Sequence, residues 1–227
     1  MQVQASRYSQ DVSHPHIRTF HARHGRLSDR RKNLLANVVP RFELPTTSEL
    51  LDLRQILNRN RVVIDLGCGM GDHTIALAQS QTDTGILAMD VHTSGICDIA
   101  SQIETHHWTH VALYLGDAIP VLKERLTTQS ISEVHILFPD PWPKAKHHKR
   151  RIVQPEFLQI VRRILIPHGL IHVVTDDDDY AEHVRGVLNH QPEWQLVETG
   201  FEVPDTSYHR RAIRLGHQIH SITGQLR

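Results

Sequence analysis

Short apolar runs ending in an acid or a proline, each followed by a helical stretch, recur along this chain and restrict its fold more than any other feature. The first, Val62-Val63-Ile64-Asp65-Leu66, opens into Gly67-Cys68-Gly69-Met70-Gly71. A helical pattern follows from Asp72 to Gln79, with Ile75, Ala76 and Ala78 expected to face inward. Ile86 to Asp90 leads to a helix over about Ser94 to Glu104. Val111 to Leu115 leads through Gly116-Asp117-Ala118 to a helix ending near Arg125. Val134-His135-Ile136-Leu137-Phe138 stops at Pro139, which has no N–H for a sheet ladder. Gly169 to Thr175 ends at Asp176, between helices over Pro155 to Leu165 and Asp178 to Asn189. Runs this short and apolar are strands buried on both faces. Their alternation with helices predicts an α/β, Rossmann-like doubly wound sheet with helices on both faces. Trp194 to Thr199 and Arg211 to Thr223 read as two closing strands, the alternation Ile213, Leu215, His217, Ile219 fitting an antiparallel one. The expected sheet is therefore mixed and seven-stranded, with its last strand antiparallel.

Upstream, Leu50, Leu51, Leu53, Ile56 and Leu57 recur at helical spacing, which predicts a helix from about Thr46 to Asn58 capped by Thr46, Thr47 or Ser48. Residues 1–41 carry eight Lys or Arg against Asp11 and Asp29, with few apolar anchors. Residues 1–45 thus read as a basic, partly flexible arm ahead of a domain over 46–227. Over the whole chain 25 basic residues meet 25 acidic ones, so only their distribution points to a polyanionic partner. Cys68 and Cys97 supply no disulfide framework. The first residues lack the apolar core of a signal peptide, and no run approaches membrane length, so a cytoplasmic setting is expected. The 19 histidines form no Cys/His cluster at zinc spacing; His147-His148, His21/His24 and His217/His220 are the pairs in question, and no metal is expected.

The stretch Phe138 to Arg151, FPDPWPKAKHHKRR, concentrates the chemistry. Asp140-Pro141-Trp142-Pro143 set a carboxylate and an indole on a proline-stiffened loop. From Trp142 to Arg151 there are five cations, Lys144, Lys146, Lys149, Arg150 and Arg151, and no acid. Such a group suits a base to be oriented and phosphates to be held. A basic run alone is as often a solvated face, and Trp142 alone a core residue; their conjunction with a fixed acid at a strand end favours a site.

The glycine spacing Gly67-x-Gly69-x-Gly71 departs from the dinucleotide fingerprint. The acids refine the ligand. Asp65 is placed to receive an ammonium, Asp90 to accept ribose hydroxyls and Asp117 to accept from an adenine amino group. Each alone is equally a helix cap. Together they describe an amino acid, a ribose and an adenine without phosphate, which is S-adenosylmethionine.

With these residues in view, the chain resembles the bacterial tRNA guanine-N7 methyltransferases that modify the variable-loop guanosine at position 46. The resemblance runs from about Arg18 to His217. It includes an RTF segment with a following R-x-GR, DLGCGMG, MDVH, GDA, FPDPWPKAKHHKRRIVQ, VTDDDDYAEHV and a closing T-x-Y-x-x-R-A-x-RLGH. It implies that Asp65, Gly67, Gly69, Gly71, Asp90, Asp117 and Asp140 line the cofactor site, with Asp140 catalytic. Lys144, Asp176, Thr206 and His209 would contact the guanosine. Lys146, His147, His148, Lys149, Arg150 and Arg151 would meet tRNA. His209 stands where the family usually has glutamate. No membrane and no obligatory protein partner is implied, and the chain is expected as a monomer or homodimer. Two rival readings are an exocyclic-amine base methyltransferase and an RNA-binding protein of methyltransferase fold; the glycine spacing and the basic loop disfavour a nicotinamide dehydrogenase.

Overall fold

The computed structural model describes residues 17–20, 27–47 and 49–227. Seven strands form one sheet: β1 (Arg61–Leu66), β2 (Thr84–Asp90), β3 (Val111–Leu115), β4 (Ile131–Leu137), β5 (Leu165–Thr175), β6 (Trp194–Val197) and β7 (His220–Leu226). Their order is β3-β2-β1-β4-β5-β7-β6. β1 to β5 pair in parallel, and β7 runs antiparallel to both β5 and β6. The strand order reverses at the β1–β4 pair, so the carboxyl ends of these two strands open a crevice between diverging connections.

Among the described residues, eight α-helices accompany the sheet: α1 (Asp29–Asn37), α2 (Leu53–Leu57), α3 (Asp72–Ser80), α4 (Thr93–His106), α5 (Ala118–Glu124), α6 (Pro155–Ile164), α7 (Asp178–Asn189) and α8 (Ser207–Arg214). Alternate strand residues point to opposite faces. Val62, Ile64, Leu87 and Met89 join α2, α5, α6 and α7 in one core. Val63, Ile86 and Ala88 join α1, α3 and α4 in a second. Each fully buried aliphatic contributes about 1.5–3 kcal/mol, so covering both faces is what makes continuous apolar strands stable. None of the second core's buried residues comes from β4, β5 or β7. On that face these strands carry Glu133, His135, His172 and Thr223 instead, the last three buried.

Four expectations need correction. The upstream helix is only Leu53–Leu57, because Asp52 accepts from Arg54 N at 3.0 Å and caps it. Leu51 is drawn out of it by backbone bonds to Arg125 O at 2.7 Å and from Thr127 N at 3.1 Å; of the caps considered, Ser48 lies outside the described residues. In α3, Ala76 is exposed while His73, Thr74, Leu77 and Ala78 are buried. The segment read as a closing strand from Arg211 is the end of α8. The alternating Ile213 and Leu215 are 59% and 56% exposed, and Thr206 Oγ1 caps the helix by accepting from His209 N at 3.1 Å. The antiparallel strand starts at His220, after Gly216 turns the chain with φ 71°. Finally, the arm is part of the body from Asp29 onward: Leu34, Val38 and Val39 enter the second core, and Arg31 pairs with Asp98 at 2.6 Å. Arg7, Arg23, Arg26, His21 and His24 lie outside the described residues.

Candidate active site

The loop after β1 turns through three left-handed glycines, Gly67 (φ 77°), Gly69 (φ 57°) and Gly71 (φ 88°), a conformation side chains with a Cβ avoid. Gly67 N and Cys68 N both donate to Met89 O, at 2.8 and 3.1 Å, tying the loop to the end of β2. Asp90 completes the tie. Its Oδ2 accepts from Gly69 N at 2.7 Å, and its Oδ1 accepts from His92 N at 2.8 Å and lies 2.8 Å from His92 Nδ1. The first turn of α4 backs the loop so closely that a Cβ on Gly95 would fall 1.7 Å from Gly69 O. At Gly67 a Cβ would meet nothing within 4 Å, so the backbone there faces open space.

That space is a cleft lined by Gly67, Gly69, Asp90, Asp117 and Asp140, with Phe138, Ile119 and Ile152 as its apolar walls. Asp117 also caps α5 by accepting from Ile119 N at 3.1 Å. Thr19 and Phe20, from the N-terminal segment, close one side. A smaller recess adjoins it, sharing Gly67, Gly69, Leu137, Phe138 and Tyr208, and contains Asp65, His73 and Thr206. Asp65 thus lies under the glycine loop and not in the main cleft. It is 1% exposed, accepts from Thr74 Oγ1 at 2.5 Å, and burial pushes its pKa above the ordinary carboxylate value. Tyr208 stacks on Phe138 at 6.4 Å between the two recesses.

The proline-rich loop holds unusual backbone. Phe138 (φ 51°) and Trp142 (φ 48°) are both left-handed without being glycine, a strain that concentrates at functional sites. Phe138 N is anchored on Val174 O at 2.7 Å. Trp142 braces the loop: it is 5% exposed and its Nε1 donates to Thr19 O at 3.3 Å. The Arg150 guanidinium lies 4.9 Å from its ring centre, and His147 meets it edge-on at 5.7 Å.

The basic block divides. Residues Ala145–Arg150 form a 3-10 helix presenting Lys146 and Lys149, with Lys144 before them, on an exposed surface. Arg151 does not join them. It is 2% exposed, its Nε donates to Pro141 O at 2.9 Å, it pairs with Asp179, and it packs over the Tyr180 ring at 5.4 Å. Its expected RNA contact is therefore replaced by an internal latch behind Asp140, which His148 extends at 3.2 Å from Arg151 Nη2. Asp176 Oδ2 lies 2.8 Å from His217 Nδ1, and neither Lys144 nor Asp176 lines the cleft. Thr206 caps α8 and lines the recess. His209 stacks against Phe138 at 6.3 Å, and among the described residues its buried Nδ1 has no hydrogen-bond partner. Sequence reasoning missed Tyr208, which sits inside a segment it singled out, and Gly95, for which a glycine at a helix start was the sole signal.

Comparison with known proteins agrees with this geometry. A family model described as "Putative methyltransferase" matches residues 59–222. A tRNA (guanine-N(7)-)-methyltransferase of Nitrosomonas europaea is 37% identical over 218 residues, covering 92% of this chain and 96% of that one. Its namesake in Streptomyces avermitilis is 35% identical over 215 residues, covering 91% and 74%. Among solved structures, the 16S rRNA methyltransferase KamB superposes with a TM-score of 0.56 at 17% identity, over 78% of this chain and 94% of that one, and so shares the fold. By these matches the chain belongs to the tRNA (guanine-N(7)-)-methyltransferase family.

Proposed function

We propose that this protein transfers a methyl group from S-adenosylmethionine to N7 of the variable-loop guanosine of tRNA, position 46. One observation carries the reading: Gly67, Asp90, Asp117 and Asp140, at the ends of four strands, line a single cleft that meets the Phe138–Tyr208–His209 stack. The fit to the cofactor rests on the open backbone at Gly67, the carboxylates of Asp90 and Asp117, and the apolar walls of Ile119 and Ile152 around an adenine-sized space. Asp65, in the adjoining recess, suits an amino-acid end.

When bound, S-adenosylmethionine would supply an electrophilic methyl on a sulfonium, which the guanine N7 lone pair would accept. Neutral guanine has no proton on N7, so the protein needs no strong general base. Its work is alignment and control of charge. Asp140, on a loop fixed by prolines and by the Arg151 latch, offers a carboxylate beside a purine that becomes cationic. His209, standing where glutamate is usual, packs against Phe138 behind the proposed base site. Phe138 and Tyr208 supply stacking surface for a base drawn out of its loop, at a cost of a few kcal/mol. Lys144, Lys146 and Lys149 contribute phosphate contacts that offset it. Residues 46–227 form the methyltransferase domain in this reading, and Thr19 and Phe20 add to the wall of the cleft. Asp140→Ala is expected to lower kcat at least a hundredfold with cofactor affinity within a few-fold of wild type, read by single-turnover transfer and by titration. Near-normal turnover would remove Asp140 from the chemistry.

A further inference from the structure

On the sheet face where the second core stops, two neighbouring strands, β4 and β5, place a carboxylate and two imidazoles together. We infer that Glu133, His135 and His172 form a binding site for one divalent transition ion of the zinc class, a structural centre separate from the methyl-transfer cleft. One donor atom from each residue lies within 4.8 Å of the others. Glu133 Oε2 is 3.0 Å from His135 Nε2 and 3.5 Å from His172 Nε2. Ligands around a tetrahedral zinc with bonds of 2.0–2.1 Å sit about 3.3 Å apart, so both carboxylate–imidazole separations already match, and the donor atoms, all within 4.8 Å of one another, need close by at most about 1.5 Å.

The far side of every ligand is already held, as metal ligands require. His172 Nδ1 lies 2.9 Å from Thr223 Oγ1, His135 Nδ1 2.8 Å from His73 Nε2, and Glu133 Oε1 accepts from Arg61 Nη2 at 2.7 Å. His135 and His172 are directly paired on β4 and β5 and are 3% and 2% exposed, positions that apolar side chains fill elsewhere in this sheet. Phe201 lies flat on His172 at 4.1 Å and edge-on to His135 at 5.1 Å, covering the site; a water would complete the four-coordinate shell. Two imidazoles and one carboxylate are borderline ligands that favour zinc over calcium or magnesium. The ion fastens the Phe201 cover, and with it the segment that runs on to Thr206 and α8 beneath the proposed base site. No local spacing reveals it, because the ligands come from two strands 37 residues apart in sequence.

The test uses full-length protein stripped with a chelator and titrated with Co2+, then Zn2+. Expected are one Co2+ per chain with the visible absorption of a four-coordinate site, its displacement by one Zn2+, and a melting temperature raised by about 5 °C or more at hundredfold excess over Kd. His135→Asn with His172→Asn abolishes the band, whereas His106→Asn with His107→Asn, both on the surface, keeps it. Absence of the band and shift in the wild type overturns the proposal, as does loss of the band with the surface pair. Should the buried variant fail to fold, the wild type and the surface variant still decide.

Discussion

His135 shows how one buried side chain sets a condition on the whole protein. Burial lowers its pKa from 6.5 to about 4, opposed by the Glu133 carboxylate. In the metal-free protein the unfolded chain therefore takes up a proton between pH 6.5 and 4 that the folded imidazole refuses. The stability contributed by the neutral folded form is present above that window and is lost as pH falls through it, by on the order of 3 kcal/mol. Denaturant midpoints measured with chelator at pH 7 and 4.5 should differ accordingly, and the difference should shrink in His135→Asn. Arg151 makes a second case, because its neighbours in sequence do not share its environment. Arg151→Ala removes hydrogen bonds from a buried cation to Pro141 O and Asp179 and is expected to cost about 1.5–3 kcal/mol of stability. Lys146→Ala with Lys149→Ala should leave stability within about 0.5 kcal/mol and instead flatten the salt dependence of tRNA binding. Equal melting temperatures for Arg151→Ala and the wild type would contradict the latch.

At the scale of elements, the glycine loop depends on what lies behind it. Gly95 lets the first turn of α4 touch the Gly69 carbonyl, so Gly95→Ala must push helix and loop apart. Overpacking of this kind costs about 1–3 kcal/mol, and cofactor affinity should fall with it, since Asp90 is bonded to the same Gly69. Calorimetry of cofactor binding alongside thermal unfolding checks both; full affinity with unchanged stability would mean that the contact yields freely. The same elements explain which parts of the fold were legible. β1 to β3 were readable because strands buried on both faces leave unbroken apolar runs, and β4 and β5 because one face stays apolar throughout its core-facing positions. α8 was misread because its exposed Ile213 and Leu215 mimic a two-residue period, while its real determinant, the Thr206 cap, is a single hydroxyl. α2 was drawn too long because the pull on Leu51 comes from Arg125 and Thr127, seventy residues away.

For the whole molecule, the acids at successive strand ends were legible because topology gathers carboxyl ends at one crevice, whatever the details of packing. The split between cleft and recess was not, since it depends on Tyr208 folding back over Gly69, with a Cβ there only 3.5 Å from its ring. Nor was the division of the basic block, which follows from Asp179 on α7 reaching back to Arg151. Among the described residues no helix is long and apolar enough to cross a membrane, and in the proposed reading the exposed lysines, the cleft and the aromatic stack serve a large anionic substrate. The most direct test of the account is transfer of labelled methyl from S-adenosylmethionine to unmodified tRNA, followed by digestion and identification of the methylated nucleoside. The account predicts 7-methylguanosine as the labelled product, lost when the variable-loop guanosine is replaced. Label on an exocyclic amine, or tRNA bound by folded protein with no label transferred, would contradict it.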